Sequence, residues 1–404
     1  MIFLSVMGPG IITANVDNDA GGITTYSVAG AHFGYSMLWV FLPMMLALIV
    51  IQEMCSRMGV VTGKGLADLI REKFGVKVTF YAMLVFLFSN LTNTISEFSG
   101  IAASCEIFGI SRYISLPIAA ALVWWVVVKG TYKSVEKIFL GACLFYLSYI
   151  ITGFLVHPQW KGVFKETVSP TFQFNRPFIL MVMGIVGTTI APWMQFYQQS
   201  SVVEKGISIK NYKYARLDTI VGGIVVTVIA MFIVISCAAT LFKSGIRIET
   251  AKDAALALKP LAGKHCAALF AFGLLNASLF SAMILPLATA YSVCEGLGWE
   301  TGVDKRLKDA PQFYFLFTAL IIIGAGIIMF PQINLIMVML LSQAANSVFL
   351  PFVLVFMLLL INDKHLMGQY KNSRFFNIVS WATVIILIAL TAGLIFCTFW
   401  PRQG

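Results

Sequence analysis

Asn15-Val16-Asp17-Asn18-Asp19-Ala20-Gly21-Gly22 stands near the middle of a stretch, residues 8–32, long enough to cross a bilayer. Two carboxylates at mid-membrane cost about 2.5–3.5 kcal/mol each even on lenient scales, and adjacent glycines weaken a helix. Read as a loop outside the membrane, the octet would strand residues 1–14 and 23–34 as apolar pieces too short to span. It therefore reads as a break inside the first span. Gly187-Thr188-Thr189-Ile190-Ala191-Pro192 makes a similar break near the middle of residues 178–204, where Pro192 removes a backbone donor.

The rest of the chain fits a membrane protein. Of 404 residues 59% are hydrophobic and only 11% charged, and the mean hydropathy is +0.87. A soluble chain carries roughly twice that charge fraction. Eleven spans are expected, at about 8–32, 36–57, 79–108, 114–129, 136–156, 178–204, 217–242, 265–296, 313–330, 333–361 and 376–399. The chain starts directly in the first of these, without the basic segment and cleavage site of a signal peptide. The net charge of +10 does not point to nucleic acid, because the basic residues cluster in short loops. Most of them, including Arg57, Lys64, Arg71, Lys73, Lys205, Lys305 and Lys364, fall on the side of the N-terminus, which places that end in the cytoplasm.

Spans 1 and 6 head two successive groups of five. Interrupted helices at matching positions of two halves mark an inverted-repeat transporter with its site at the midplane. Residues 1–156 and 178–361 would then be the repeats, with 376–399 an added eleventh helix. The fold class is all-α and polytopic.

Broken helices expose carbonyl oxygens and half-helix ends, and Asp19 adds a full charge. Such a site is hard and anionic and suits a hard cation. Residues two apart on a helix point about 200° apart, so Asp17 joins Asp19 only if the break begins near it; otherwise it lines an access path. Asn15 and Asn18 could support either arrangement. Glu97, within Asn93-Thr94-Ile95-Ser96-Glu97-Phe98, is the other deep acid. It fits either a proton relay or a protonated group bonded to a neighbouring helix. Gln343 and Asn346 are polar groups on an otherwise apolar span, and Gln343 could contact an ion or its water.

Enzyme chemistry finds no footing. His32, His157, His265 and His365 have no metal-ligand spacing, and no phosphate-binding Lys-Ser/Thr loop is present. The seven cysteines form no Cys-x-x-Cys pair. The chain is expected to need no cofactor.

The stretch from Gly8-Pro9-Gly10 to Phe33-Gly34-Tyr35 resembles the opening of the NRAMP family of divalent-metal transporters. The resemblance returns in span 6, in Leu341-Ser342-Gln343 through Leu350-Pro351-Phe352, and around Leu366-Met367-Gly368. It implies a LeuT-type fold of two inverted five-helix repeats, with metal held between broken helices 1 and 6. Departures from the family pattern matter as much. Its Asp-Pro-Gly-Asn falls on Asp19-Ala20-Gly21-Gly22, so the Asp is kept and the Asn ligand becomes Gly22. Its Met-Pro-His falls on Ala191-Pro192-Trp193, so a soft thioether becomes a methyl group. The acidic partner of Glu97 becomes Thr94, a second helix-6 His becomes Gln198, and the basic pair of helix 9 becomes Pro311-Gln312.

The resemblance, with these departures, is strongest to the NRAMP-related magnesium transporters. It implies a roomier site with fewer protein ligands and no soft one, suited to partly hydrated Mg²⁺ with Mn²⁺ as a second cargo. The expected metal contacts are Asp19, Gly22, Val16, Thr188, Ala191 and Gln343. Asp17, Asn18, Thr189, Trp193, Glu97 and Thr94 are expected along the access path or around the ligands. Missing titratable stations imply transport without proton coupling. The alternatives are a proton-coupled Mn²⁺/Fe²⁺ transporter of the same fold and a LeuT-type organic-solute symporter. The expected setting is a monomer in a prokaryotic inner membrane, with the bilayer and the divalent ion as its partners.

Overall fold

A computed structural model describes residues 16–129, 143–303 and 305–399. Asn15, the first half of span 1 and the start of span 5 lie outside the described residues.

Regular structure among the described residues is helical throughout. α1 (Ala20–Phe33) leads through a 3₁₀ turn to α2 (Phe41–Thr62). α3 (Leu66–Ile107), α4 (Arg112–Val128) and α5 (Leu147–Leu155) follow, then α6 (Trp160–Val168). Span 6 is two helices, α7 (Arg176–Thr189) and α8 (Pro192–Glu204). α9 (Tyr212–Cys237), α10 (Cys266–Leu297), α11 (Pro311–Ile328), α12 (Leu335–Ile361) and α13 (Arg374–Phe399) complete the order. Among the described residues, eight helical segments are long and apolar enough to cross a membrane, one of them joining α1 and α2, and α4 is a shorter apolar helix.

Both sequence breaks are present. Regular helix pauses at Asn18 and Asp19, before α1, and again at Ile190 and Ala191, between α7 and α8. Ile190 has φ −131° and ψ 74°, well outside helical geometry. One difference concerns the charged stretch between spans 2 and 3, read from sequence as a loop. It is largely helical: residues 66–74 form an extra piece of α3, divided from the span by Gly75 at φ 80°. Only glycine adopts that conformation without strain. Without the division, the 42 residues of α3 would be about twice as long as a bilayer requires.

α3 packs on α10 and α12, α7 on α12, and α9 on α1 and α2, so the broken helices are enclosed by others. Small residues permit the approach. A Cβ on Gly187 would fall 1.9 Å from the Gln343 carbonyl of α12. Polar groups lace the same interfaces, as membrane interiors require: Asn93 and Asn346 exchange side-chain hydrogen bonds of 3.0 and 2.9 Å between α3 and α12.

At the C-terminal end of α2, Arg57 is a buried clamp. Its guanidinium pairs with Glu53 at 3.1 Å, donates to the Tyr370 and Lys371 carbonyls and to Asn372 Oδ1, and lies over the Phe376 ring. Tyr212 donates to the same Glu53. Arg57→Ala would strand that carboxylate and three acceptors, and breaking a buried pair typically costs about 3 kcal/mol or more. The expected outcome is a clearly lower Tm in detergent, only partly recovered by Arg57→Lys, whose single ammonium cannot fork to several acceptors.

Nearby, Lys73 donates to Asp363, joining the short first piece of α3 to the segment after α12. That hydrogen bond, helped by the His365 amide, holds the Asp363 carboxyl below its ordinary 3.8. A depressed carboxylate contributes its stability above the unfolded value, and the contribution is lost as pH falls through the folded one. Amide exchange at residues 363–367 should therefore speed up as pH drops below about 4, after correction for intrinsic rates. Asp363→Asn should abolish that step and show the faster exchange already at neutral pH, by a small factor because Lys73 is exposed.

Candidate metal centre

The site begins with Asp19. Its extended backbone (φ −69°, ψ −172°) makes it the N-cap of α1, and Oδ1 accepts the Gly22 N–H at 2.7 Å. This is ordinary capping chemistry, and the positive end of α1 favours the charge. Glu97, on α3, docks on the same turn: its Oε2 accepts the Ala20 N–H at 3.3 Å. The Asp19 and Glu97 carboxyl groups are thus electrostatic neighbours on one turn. Glu97 is fully buried and its Oε1 has no partner.

Gly22 shows where the oxygens converge. A Cβ there would lie 2.7 Å from the Asp17 carbonyl oxygen, 3.1 Å from Thr188 Oγ1 and 3.4 Å from Asp19 Oδ1. Three oxygens from both breaks thus face one small volume that glycine leaves open. The Thr188 hydroxyl is buried without a hydrogen-bond partner. Its neighbour is spoken for: Thr189 Oγ1 donates to the Ile185 carbonyl and meets the Tyr26 hydroxyl at 3.0 Å. Between the two threonines, the structure leaves Thr188 free to bind.

The carbonyl at this point belongs to Asp17 rather than to Val16, whose side chain packs in the core. Gln343 lies directly over α1, with Nε2 only 1.7 Å from where a Cβ on Gly21 would be. Its Oε1 is held by Asn346 Nδ2 at 2.9 Å. The end turned to α1 is therefore a donor, able to bond water or a carboxylate but not to coordinate a cation. Ala191 is likewise committed, its carbonyl accepting from Gln195 Nε2 at 2.9 Å. Trp193 is the largest fully buried side chain and stacks near Tyr197. Thr94 donates to the Asn90 carbonyl of its own helix and makes no bond to Glu97.

Two participants escaped the sequence reading. Gln195 bridges the second break to α2 by accepting from Gln52 Nε2 at 2.8 Å. Met194 places its sulfur 3.3 Å from the Ala191 amide, which donates to it. This thioether sits one turn along α8, with its lone pair turned to a backbone N–H. Its signal was only a methionine three residues after the alanine. Asp17 and Asn18 stay buried with unpartnered side chains, while the Asn18 carbonyl accepts from Tyr146. Among the described residues no group of three or more His, Cys, Asp and Glu side chains has metal-binding geometry. Any ion here would rely on carbonyl, hydroxyl and water oxygens beside one carboxylate.

Comparison with known proteins agrees with this architecture. The chain is 25% identical over 408 residues to the divalent metal cation transporter MntH of Bacillus subtilis, covering 98% of this chain and 93% of that one. It is 29% identical to MntH of Staphylococcus saprophyticus, covering 98% and 92%. These relatives are transporters, not enzymes. The fold superimposes on the Eremococcus coleocola manganese transporter with a TM-score of 0.82 at 20% identity, over 100% of this chain and 89% of that one. It also matches Mhp1, a nucleobase-cation-symport-1 family transporter, with a TM-score of 0.56 at 14% identity over 98% and 94%. The fold is thus the LeuT-like one. The model for natural resistance-associated macrophage protein-like chains matches residues 10–397, and this integral membrane protein belongs to the Nramp family.

Proposed function

We propose that the chain carries divalent metal ions across a membrane by alternating access, with partly hydrated Mg²⁺ as the favoured cargo and Mn²⁺ also accepted. The observation that supports this most is the volume beside Gly22, which one carboxylate, one carbonyl and one hydroxyl face together. Mg²⁺ takes oxygen ligands, dehydrates reluctantly and needs only one or two carboxylates. The Gln343 amide donor suits a water of that shell better than the ion itself. The names of the relatives, divalent metal cation and manganese transporters, fit the same substrate class.

On this reading the chain sits with the NRAMP-related magnesium transporters, in a prokaryotic inner membrane with a cytoplasmic N-terminus. Its repeats are residues 1–156 and 178–361. Transport runs without proton exchange, because Thr94, bonded to the Asn90 carbonyl of its own helix, offers Glu97 no onward relay. The membrane potential alone supplies about 4.6 kcal/mol per 100 mV for a dication.

A second reading, a proton-coupled Mn²⁺/Fe²⁺ transporter, draws support from two contacts. The buried Glu97 carboxyl docks on the turn that Asp19 caps, and Met194 places a sulfur near the second break. An organic-solute symporter fits less well, since a substrate carboxylate would meet an anionic site.

In proteoliposomes, Asp19→Ala should reduce Mg²⁺ uptake to background; near-normal uptake would refute the site. Gly22→Ala places a methyl group among the three oxygens and should slow uptake about tenfold or more, a change of about 1.4 kcal/mol. Internal pH recorded during metal entry decides between the two readings: a steady pH supports uncoupled transport, and acidification tracking uptake supports the proton-coupled alternative.

A further inference from the structure

Asp17 is the deeply buried acid that the proposed site leaves unused. The residue is 2% exposed and neither carboxylate oxygen has a hydrogen-bond partner. No ion pair among the described residues involves it. Asn18 beside it is 1% exposed, with both side-chain polar atoms unpartnered. A bare carboxylate at this depth is among the costliest groups a membrane protein can keep. Asp17 lies within electrostatic reach of Asp19 and of the Tyr26 hydroxyl, which itself meets Thr189 at the second break. Its own carbonyl lies 2.7 Å from where a Cβ on Gly22 would be, so the residue adjoins the volume between the two breaks.

Charge balance gives this placement a meaning. A dication held by Asp19 alone leaves one uncompensated positive charge at mid-membrane, whereas two carboxylates neutralise it. Direct coordination by Asp17 is disfavoured, because its carbonyl rather than its carboxylate faces the volume beside Gly22. We propose that Asp17 and Asn18 bind the water shell of the transported dication, Asp17 supplying the second negative charge and thereby selecting for ions that keep their water. This inference rests on the cargo site proposed above. Mg²⁺, which sheds water reluctantly, should depend on the arrangement more than Mn²⁺, which also accepts softer direct ligands.

The test is uptake of Mg²⁺ and Mn²⁺, measured separately, into proteoliposomes holding the full chain. Asp17→Asn keeps the shape and removes the charge. It should lower Mg²⁺ uptake about tenfold and Mn²⁺ uptake clearly less, raising the Mn²⁺ to Mg²⁺ ratio severalfold. Asp17→Glu should restore most of the Mg²⁺ preference. Equal losses for both ions, as a merely structural role would give, or no loss for either, would overturn the proposal. Asp19→Ala, run in parallel, separates the failures. If it abolishes uptake while Asp17→Asn leaves the ratio unchanged, only this inference falls; if it transports normally, the cargo site itself is wrong.

Discussion

A carboxylate cannot sit in hydrocarbon without partners, and the architecture answers that constraint at Asp19. The residue caps the start of α1, so its charge meets the amides that a broken helix exposes. The break supplies those amides, while the enclosing helices keep lipid away. Remove the break and Asp19 loses its hydrogen bonds; remove the carboxylate and α1 starts with bare donors. Each makes the other tolerable, and the proposed ion site is the space they leave between them.

Much of this was legible in the sequence because chemistry near a break is local. The Gly21–Gly22 pair beside Asp19 and Pro192 after Ala191 are short-range signals, and both breaks occur where they were expected. The span boundaries were also readable, since apolar length is dictated by the bilayer. What stayed hidden was contact between distant positions. Glu97 meets Ala20 across 77 residues, and Gln52 meets Gln195 across 143. No periodicity announces such pairs, although three glutamines within span 6, at 195, 198 and 199, were a usable hint. The helical piece before Gly75 was missed for another reason: its charges read as a loop, whereas an amphipathic helix at a membrane surface carries them equally well.

Glycine positions turned out to be more informative than charged ones. Charge says which ions are welcome, but Gly21 and Gly22 set how closely Gln343, Thr188 and the Asp17 carbonyl can approach. Selectivity in such a site is then a matter of volume and of which end of an amide is presented. Asn346 decides the latter by holding the Gln343 oxygen, so a residue with no stated contact to the site dictates its hydrogen-bond polarity.

The bridge from Gln52 through Gln195 to the Ala191 carbonyl has a mechanical side. It fastens α2 to the first turn of α8, and α2 is in turn fastened by Arg57 to the segment before α13. Those three elements would swing as one rigid lever. The compliant joint is then the non-helical peptide at Ile190, two residues from Thr188, so motion of the lever would reshape the volume beside Gly22 before it opened a path to water.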